Sequence, residues 1–283
     1  MQCVAIVGVG LIGASFGLAL RKAGFTGEII GVSSAAAIAA GFECGAISSQ
    51  AALAEAASRA DLIYLAQPVD RILETIEKLG PLVNSGCLIT DAGSTKAQIV
   101  AQALKHLPPG TFLGGHPLAG KEQRGAGAAD ADLFHNRPYV LTPSGPETPA
   151  TQEFRKWLAR IGAHILETSP QEHDSTVALT SHLPQLVSTA LAATLAERNS
   201  DTLQKIFGPG LMDMTRLALS APELWTSIFS TNKVEVLAAL DAFVVSLGQA
   251  RQAIEADDLS YIFNTAAQFA TTIRNLRPKV NLN

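Results

Sequence analysis

The sequence predicts an α/β domain with a doubly wound parallel sheet, followed by an all-α domain, and three observations carry that reading. Short apolar runs alternate with helix-patterned segments up to residue 169. A glycine-spaced turn, Gly8-Val9-Gly10-Leu11-Ile12-Gly13, separates the first apolar run from the first helical pattern. From Pro170 onward the strand signal disappears and only helical patterns remain.

The elements follow in order. Residues 4–7 form a continuous apolar run, as a strand buried on both faces does. Residues 11–22 read as a helix, 28–32 as a second strand and 35–42 as an alanine-rich helix. Residues 62–66 read as a third strand. The helix at 69–79 places Val69, Ile72, Leu73 and Ile76 on one face. Strands at 87–90 and 111–115 flank a helix at 96–106, and strands at 139–142 and 163–166 flank a helix at 149–161. Beyond the boundary at Ser169-Pro170, helices are predicted at 171–197, 222–230, 233–256 and 259–276. Gly208-Pro209-Gly210 breaks the helical run, and 277–283 reads as a solvated tail. The two domains therefore span 1–169 and 170–283.

Composition narrows the function classes. The chain has 283 residues, 47% apolar and 16% charged, which suits two globular domains. A net charge of −4 with no basic block argues against nucleic acid as a partner. No apolar run reaches membrane-spanning length, and residues 1–4 lack the features of a signal peptide. Cys3, Cys44 and Cys87 form no CxxC pair and read as reduced, buried thiols of a cytoplasmic protein. No convincing metal cluster is present.

The glycine turn is GxGxxG between a strand and a helix, the fingerprint of a Rossmann-type dinucleotide-binding domain. Gly8 permits the tight turn, Gly10 lets backbone approach a pyrophosphate, and Gly13 lets helix and sheet pack closely. Leu11 and Ile12 open the helix whose free amides face the phosphates. At the ribose end, where an acid usually selects NAD, the chain has Ser33 and Ser34. No acid repels a 2′-phosphate there and no arginine clamps one, which favours NADP over NAD. Gln67 and Pro68 follow the third strand in a loop placed to cover the cofactor.

Two segments end strands on the ligand-binding edge: Asp91 to Lys96, and Gly114 to Gly120. Removing hydride from an alcohol requires a group to take the hydroxyl proton, and His116 suits that at neutral pH. Ser94 is placed to orient the imidazole. Taken singly, a histidine in a glycine-rich loop such as His116 is more often structural, and Ser94 and Asp91 are compatible with simple helix caps.

Together these segments resemble the prephenate/arogenate dehydrogenase family. The resemblance rests on GVGLIGAS (from Gly8), DAGSTK (from Asp91), GGHPLAG (from Gly114), Pro138 to Pro143, SHLP (Ser181 to Pro184) after His173-Asp174, Asp213 to Arg216, and Pro222 to Trp225. It implies NAD(P)-dependent oxidation of a ring hydroxyl with loss of the ring carboxylate, in tyrosine biosynthesis. It implies His116 as the base, Ser94 as its partner near the nicotinamide, and Arg216 as the holder of a substrate carboxylate. Ser181 and His182 become active-site residues from the helical domain. His173 and His164 are left as structural, and His106 and His135 as exposed. Met212 departs from the pattern: some members carry a basic residue four positions before the arginine. Prephenate versus arogenate stays open, and no fused mutase or regulatory domain is expected.

Two other readings compete. A β-hydroxyacid or 6-phosphogluconate-type dehydrogenase would need a catalytic lysine, with Lys205 and Lys233 as candidates. A non-enzymatic dinucleotide sensor would need no base at all. The resemblance also implies a homodimer through the all-α domain. Leu237, Leu240, Val244 and Leu247, with Leu259, Ile262 and Phe263, offer stripes for it.

Overall fold

In the computed structural model, residues 1–83 and 86–276 are described. Among them, eight strands form one sheet: β1 (Cys3–Val7), β2 (Glu28–Val32), β3 (Ser49–Gln50), β4 (Leu62–Leu65), β5 (Leu88–Asp91), β6 (Phe112–Pro117), β7 (Pro138–Thr142) and β8 (His164–Glu167). Their order is β3-β2-β1-β4-β5-β6-β7-β8. Strands β1 to β6 pair in parallel, and the order reverses between β1 and β4, the switch point at which such sheets bind ligands. Helices α1 (Leu11–Lys22), α2 (Ala35–Glu43), α3 (Leu53–Arg59), α4 (Val69–Leu79), α5 (Ala97–His106) and α6 (Pro149–Ile161) accompany the strands.

Two apolar clusters account for the continuous hydrophobicity of the central strands. One packs Phe16, Tyr64, Phe134, Tyr139 and Phe154 together, with Phe16 stacked on Tyr64 at 4.0 Å between ring centroids. The other joins Ile63, Leu65, Ile72, Ile76, Ile89 and Ile99. Residues alternate between the clusters along β4: Leu62 and Tyr64 belong to the first, Ile63 and Leu65 to the second.

The expected all-parallel sheet is corrected at β7, which runs antiparallel to β6, with Gly114 opposite Thr142 and Pro117 opposite Tyr139. Between these strands lies only a short 3-10 turn, Ala126–Ala128. A parallel return demands a longer crossover, usually a helix, and an antiparallel neighbour does not. Strand β3 and helix α3 went unpredicted, being too short to carry a periodic signal.

The helices that follow are α7 (Pro170–Val177), α8 (Leu183–Glu197), α9 (Pro209–Thr215), α10 (Pro222–Thr231), α11 (Lys233–Glu255) and α12 (Ser260–Leu276). The single helix predicted at 171–197 is interrupted by a π turn at Ala178–His182. Pro184 explains it: without an N–H it cannot bond the carbonyl four residues back, and its ring crowds that carbonyl. Gly208-Pro209-Gly210 does not only break a run. Pro209 starts α9, where its missing N–H would be unbonded anyway.

Contacts divide the chain into two compact units, Met1–Lys233 and a second beginning at Val234. Within the first, α7 lies against α5 and α10 against α4. Ser169 caps α7, its side chain accepting from the Glu172 amide. Within the second, Leu237, Val244, Leu247, Phe263 and Phe269 are all exposed in the single chain. The tail at 277–283 lies outside the described residues.

Cys3 and Cys87 are buried as expected, and Cys44 is half-buried. Burial pushes the Cys3 thiol up to about 11 and that of Cys87 up to about 12, so both remain protonated and unreactive. None of the described helices is long and apolar enough to cross a membrane.

Candidate active site

The glycine turn distributes its three roles unequally. Gly8 has φ +98°, and a Cβ there would lie 2.7 Å from the Ala66 carbonyl oxygen. A Cβ on Gly13 would lie 2.1 Å from the Gly8 carbonyl oxygen. The fold itself therefore requires both glycines. Gly10 differs: its φ of −95° suits any residue, and a Cβ there would meet nothing within 4 Å. That open space belongs to a cavity of about 540 Å³ lined by Gly8, Gly10, Ser33, Ser34, Gln67 and Pro68. Gly10 is thus a cradle that a methyl group would partly fill, and a dinucleotide pyrophosphate fits it. The first-turn amides of α1 lack a capping side chain, leaving Leu11 and Ile12 with donors for phosphate. The Leu11 and Ile12 side chains pack against the core instead of lining the cavity.

Other parts of the cavity are fixed locally. Thr75 donates to Gln67 Oε1 at 2.8 Å, holding the amide in place. Ser34 caps α2, accepting from Ala37 N, while Ser33 stays exposed. Lys78, which sequence reasoning missed, lines the same cavity and carries the positive charge absent from the Ser33-Ser34 turn.

The chemistry-bearing residues gather where β5 and β6 part. Their pairing ends at Thr90 opposite Leu113, and Asp91 and Lys96, both fully buried, occupy the space beyond. Asp91 forms an ion pair with Lys96 and accepts from the amides of Gly93 at 2.8 Å and Gly115 at 3.0 Å. Lys96 also donates to the Gly115 carbonyl at 2.8 Å. Burial lowers the Lys96 ammonium, and the Asp91 carboxylate beside it opposes that shift. The backbone immediately before His116 is therefore clamped at both its N–H and its C=O.

His116 sits within β6, opposite Val140, and not in the loop expected from the sequence. Its Nδ1 lies 2.8 Å from His173 Nε2, with the rings edge to face. Desolvation is the main cause that holds the ring well below the usual histidine range. Neighbouring His173, Lys96 and His182 add to it. His116 is consequently neutral at pH 7, the form a proton acceptor needs. His173, expected to be structural only, touches it directly and is 2% exposed. The signal available in the sequence was the His173-Asp174 pair.

His182 is buried at the π turn, edge-on to Trp225 and Phe229. Asn232 donates to its Nδ1 at 3.3 Å, leaving Nε2 as the donor. Burial lowers its pKa to about 4. Asn232 also donates to the Asp174 carbonyl at 2.8 Å, so one polar chain runs from His116 to His182. No sequence signal marked Asn232.

Ser94 is half-buried and Ser181 exposed; among the described residues neither bonds the His116 ring, whose Nδ1 partner is His173. The helix-cap reading of Ser94 and Asp91 is also corrected, because α5 receives no cap from either side chain. Arg216 opens a 3-10 turn, 60% exposed, with Glu122 at 3.3 Å. His106, expected to be exposed, is half-buried, whereas His135 and His164 are exposed. No group of three metal-ligating side chains occurs among the described residues.

Comparison with known proteins agrees with this architecture. Residues 16–167 match the family model described as prephenate dehydrogenase, nucleotide-binding domain, and residues 169–268 match prephenate dehydrogenase, dimerization domain. A prephenate dehydrogenase of Bacillus subtilis is 35% identical over 269 residues, covering 92% of this chain and 72% of that protein. A crystal structure of prephenate dehydrogenase from A. aeolicus, in complex with hydroxyphenyl propionate and NAD+, superposes with a TM-score of 0.90. It is 30% identical and covers 98% of both chains. Synechocystis arogenate dehydrogenase superposes at 0.81 with 31% identity, over 96% of this chain and 99% of that one. With a nucleotide-binding sheet, a helical dimerisation domain and these matches along its length, the chain belongs to the prephenate dehydrogenase family of oxidoreductases.

Proposed function

We propose that the chain catalyses NAD(P)-dependent oxidative decarboxylation of prephenate or arogenate, giving 4-hydroxyphenylpyruvate or tyrosine, with NADP the preferred cofactor. The observation that carries this reading is His116: a neutral, desolvated imidazole in the sheet whose glycine turn opens onto the nucleotide cavity. Bound nicotinamide supplies the hydride acceptor. His116 takes the ring hydroxyl proton as hydride leaves the same carbon. The ring carboxylate departs as CO₂, its bonding electrons completing the aromatic ring. Aromatisation drives the step, and no metal is required of the residues present.

The remaining site residues divide the substrate between them. Ser94 lies in the loop after β5 and serves the nicotinamide side. Arg216, its side chain 60% exposed, would exchange its solvent-exposed pairing with Glu122 for a fork onto a substrate carboxylate. His182 offers its Nε2 donor, and Ser181 its hydroxyl, from the π turn. Support for NADP comes from Ser33, Ser34 and Lys78, which give the cavity one positive charge and no acid at the turn.

A homodimer fits the exposed stripe of α11 and α12. Had Leu237, Val244, Leu247 and Phe263 formed the domain's own core, they would be covered; they are 48%, 56%, 53% and 67% exposed. An obligate interface covering such faces buries on the order of 2,000 Å² or more. A domain boundary at Ser169-Pro170 is supported by the abutting family matches, and a cytoplasmic location by the unpaired thiols.

Reduced-cofactor absorbance tests the function, with purified protein, prephenate or arogenate, and NADP or NAD. Turnover of at least one substrate, faster with NADP, is expected. Turnover of neither substrate would refute the reading. Light scattering at low micromolar concentration tests the assembly, where a mass persisting near 29.6 kDa would exclude the dimer.

A further inference from the structure

Beside the base lie two buried groups that the reaction as described does not use, His173 and Asp174 of α7. Both are 2% exposed. Asp174 Oδ1 accepts from the Lys96 amide at 2.7 Å, and Oδ2 from the Ala97 amide at 2.8 Å. This carboxylate thus provides the N-terminal cap that α5 lacks locally, at the end where the helix dipole favours negative charge. The same Oδ1 lies 2.8 Å from His173 Nδ1.

The direction of the chain follows from which atoms can donate. A carboxylate only accepts, so the His173 proton sits on Nδ1. A neutral His173 ring then has a bare Nε2, which accepts from His116 Nδ1–H at 2.8 Å. The lone pair of His116 is left on Nε2. With one proton on each ring, reversing either bond would place two acceptors or two donors face to face. The clamp that Asp91 and Lys96 hold on Gly115 fixes the strand beneath His116, while His173 fixes the ring above it.

We propose that His173 and Asp174 are positioning residues: anchored on the first amides of α5, they hold His116 as its Nδ1–H tautomer with Nε2 open to the substrate hydroxyl. The inference rests on His116 being the base. Asp174 ties that tautomer to the docking of α7 on α5, so the base is set only when these helices are joined.

Two variants and one spectroscopic measurement test it. His173→Leu removes the acceptor, whereas His173→Gln offers a carbonyl oxygen to the same Nδ1–H. We expect kcat to fall about 10²-fold or more in His173→Leu, because the wrong tautomer has no lone pair where the proton arrives. We expect His173→Gln to recover most of that loss, and cofactor affinity to stay near wild type in both. In ¹⁵N-labelled full-length protein, the His116 signal, assigned by its loss in His116→Asn, should show a protonated Nδ1 and a bare Nε2. A proton on Nε2 in the wild type would overturn the proposal even if His173→Leu failed to fold. Wild-type kcat in His173→Leu, with His116→Asn inactive, overturns the positioning role alone. Wild-type kcat in His116→Asn as well removes the base reading beneath it.

Discussion

The glycine turn and the histidine cluster solve their tasks in opposite ways. Residues 8–13 form a local device: six consecutive residues set the backbone, and their partners are strand ends fixed by the sheet. The cluster around His116 is assembled from β6, the loop before α5, the start of α7, the π turn and the end of α10. Its key contacts join residues 57 and 78 positions apart, His116 with His173 and Lys96 with Asp174. A local device survives as a readable motif. An assembled one depends on buried polar groups satisfying each other across elements, and so loses more when any one is removed.

The largest expected stability effect lies in the cluster. Lys96→Ala leaves the Asp91 carboxylate buried without its cation, which should destabilise the protein by about 3–5 kcal/mol in denaturant unfolding. A loss below about 1 kcal/mol would mean that water reaches Asp91 and that the clamp on Gly115 is looser than the geometry implies.

Acid should separate the two regions next. His182 keeps its neutral form down to about pH 4, while in the unfolded chain it protonates below about 6.5. Its share of stability is therefore complete above pH 6.5 and lost as pH falls towards 4, by about 3 kcal/mol. The depressed pKa of His116 acts with the same sign. Thermal melts across pH 7 to 4 should show that loss in the wild type and a smaller one in His182→Asn. Equal losses would show that His182 is more hydrated than its aromatic surroundings suggest.

Within the glycine turn the comparison sharpens to single methyl groups. Gly10→Ala should weaken cofactor binding about tenfold or more, about 1.4 kcal/mol, and leave stability within about 0.5 kcal/mol. Gly13→Ala should chiefly destabilise the fold, because its Cβ would collide with the Gly8 backbone. Cofactor titration beside thermal melting reads both variants. Equal loss of stability in the two would erase the distinction between a ligand glycine and a packing glycine. The smallest effect is expected from Ser33→Asp, a shift of preference from NADP towards NAD in the ratio of kcat/KM values. Exclusive use of NAD by the wild type would contradict the reading of that turn.

The difference between the regions also explains what the sequence reveals. Every part of the cofactor turn was legible, because the strand, the glycines and the helix are contiguous. Lys78 was missed because it enters the cavity from α4, with no motif around it. His116 and His182 were singled out through their motif surroundings, and the fold gathers both into the polar cluster. His173 was set aside because only the fold brings α7 to β6, and Asn232 because one amide carries no pattern. The antiparallel turn into β7 was signalled weakly, by the lack of a long helix between 115 and 139. The π turn needed the geometry of Pro184 as well as helical periodicity, which runs smoothly through it.

The central claim is that His116 takes the substrate proton. Single-turnover rates for wild type and His116→Asn, each saturated with cofactor and with the better of prephenate and arogenate, test it most directly. The account predicts a 10²–10⁴-fold slower step, about the usual worth of a general base. Cofactor affinity should be unchanged, and the acid limb of the wild-type kcat/KM profile, lying below the ordinary histidine range, should vanish in the variant. An unchanged single-turnover rate with the same acid limb would contradict it.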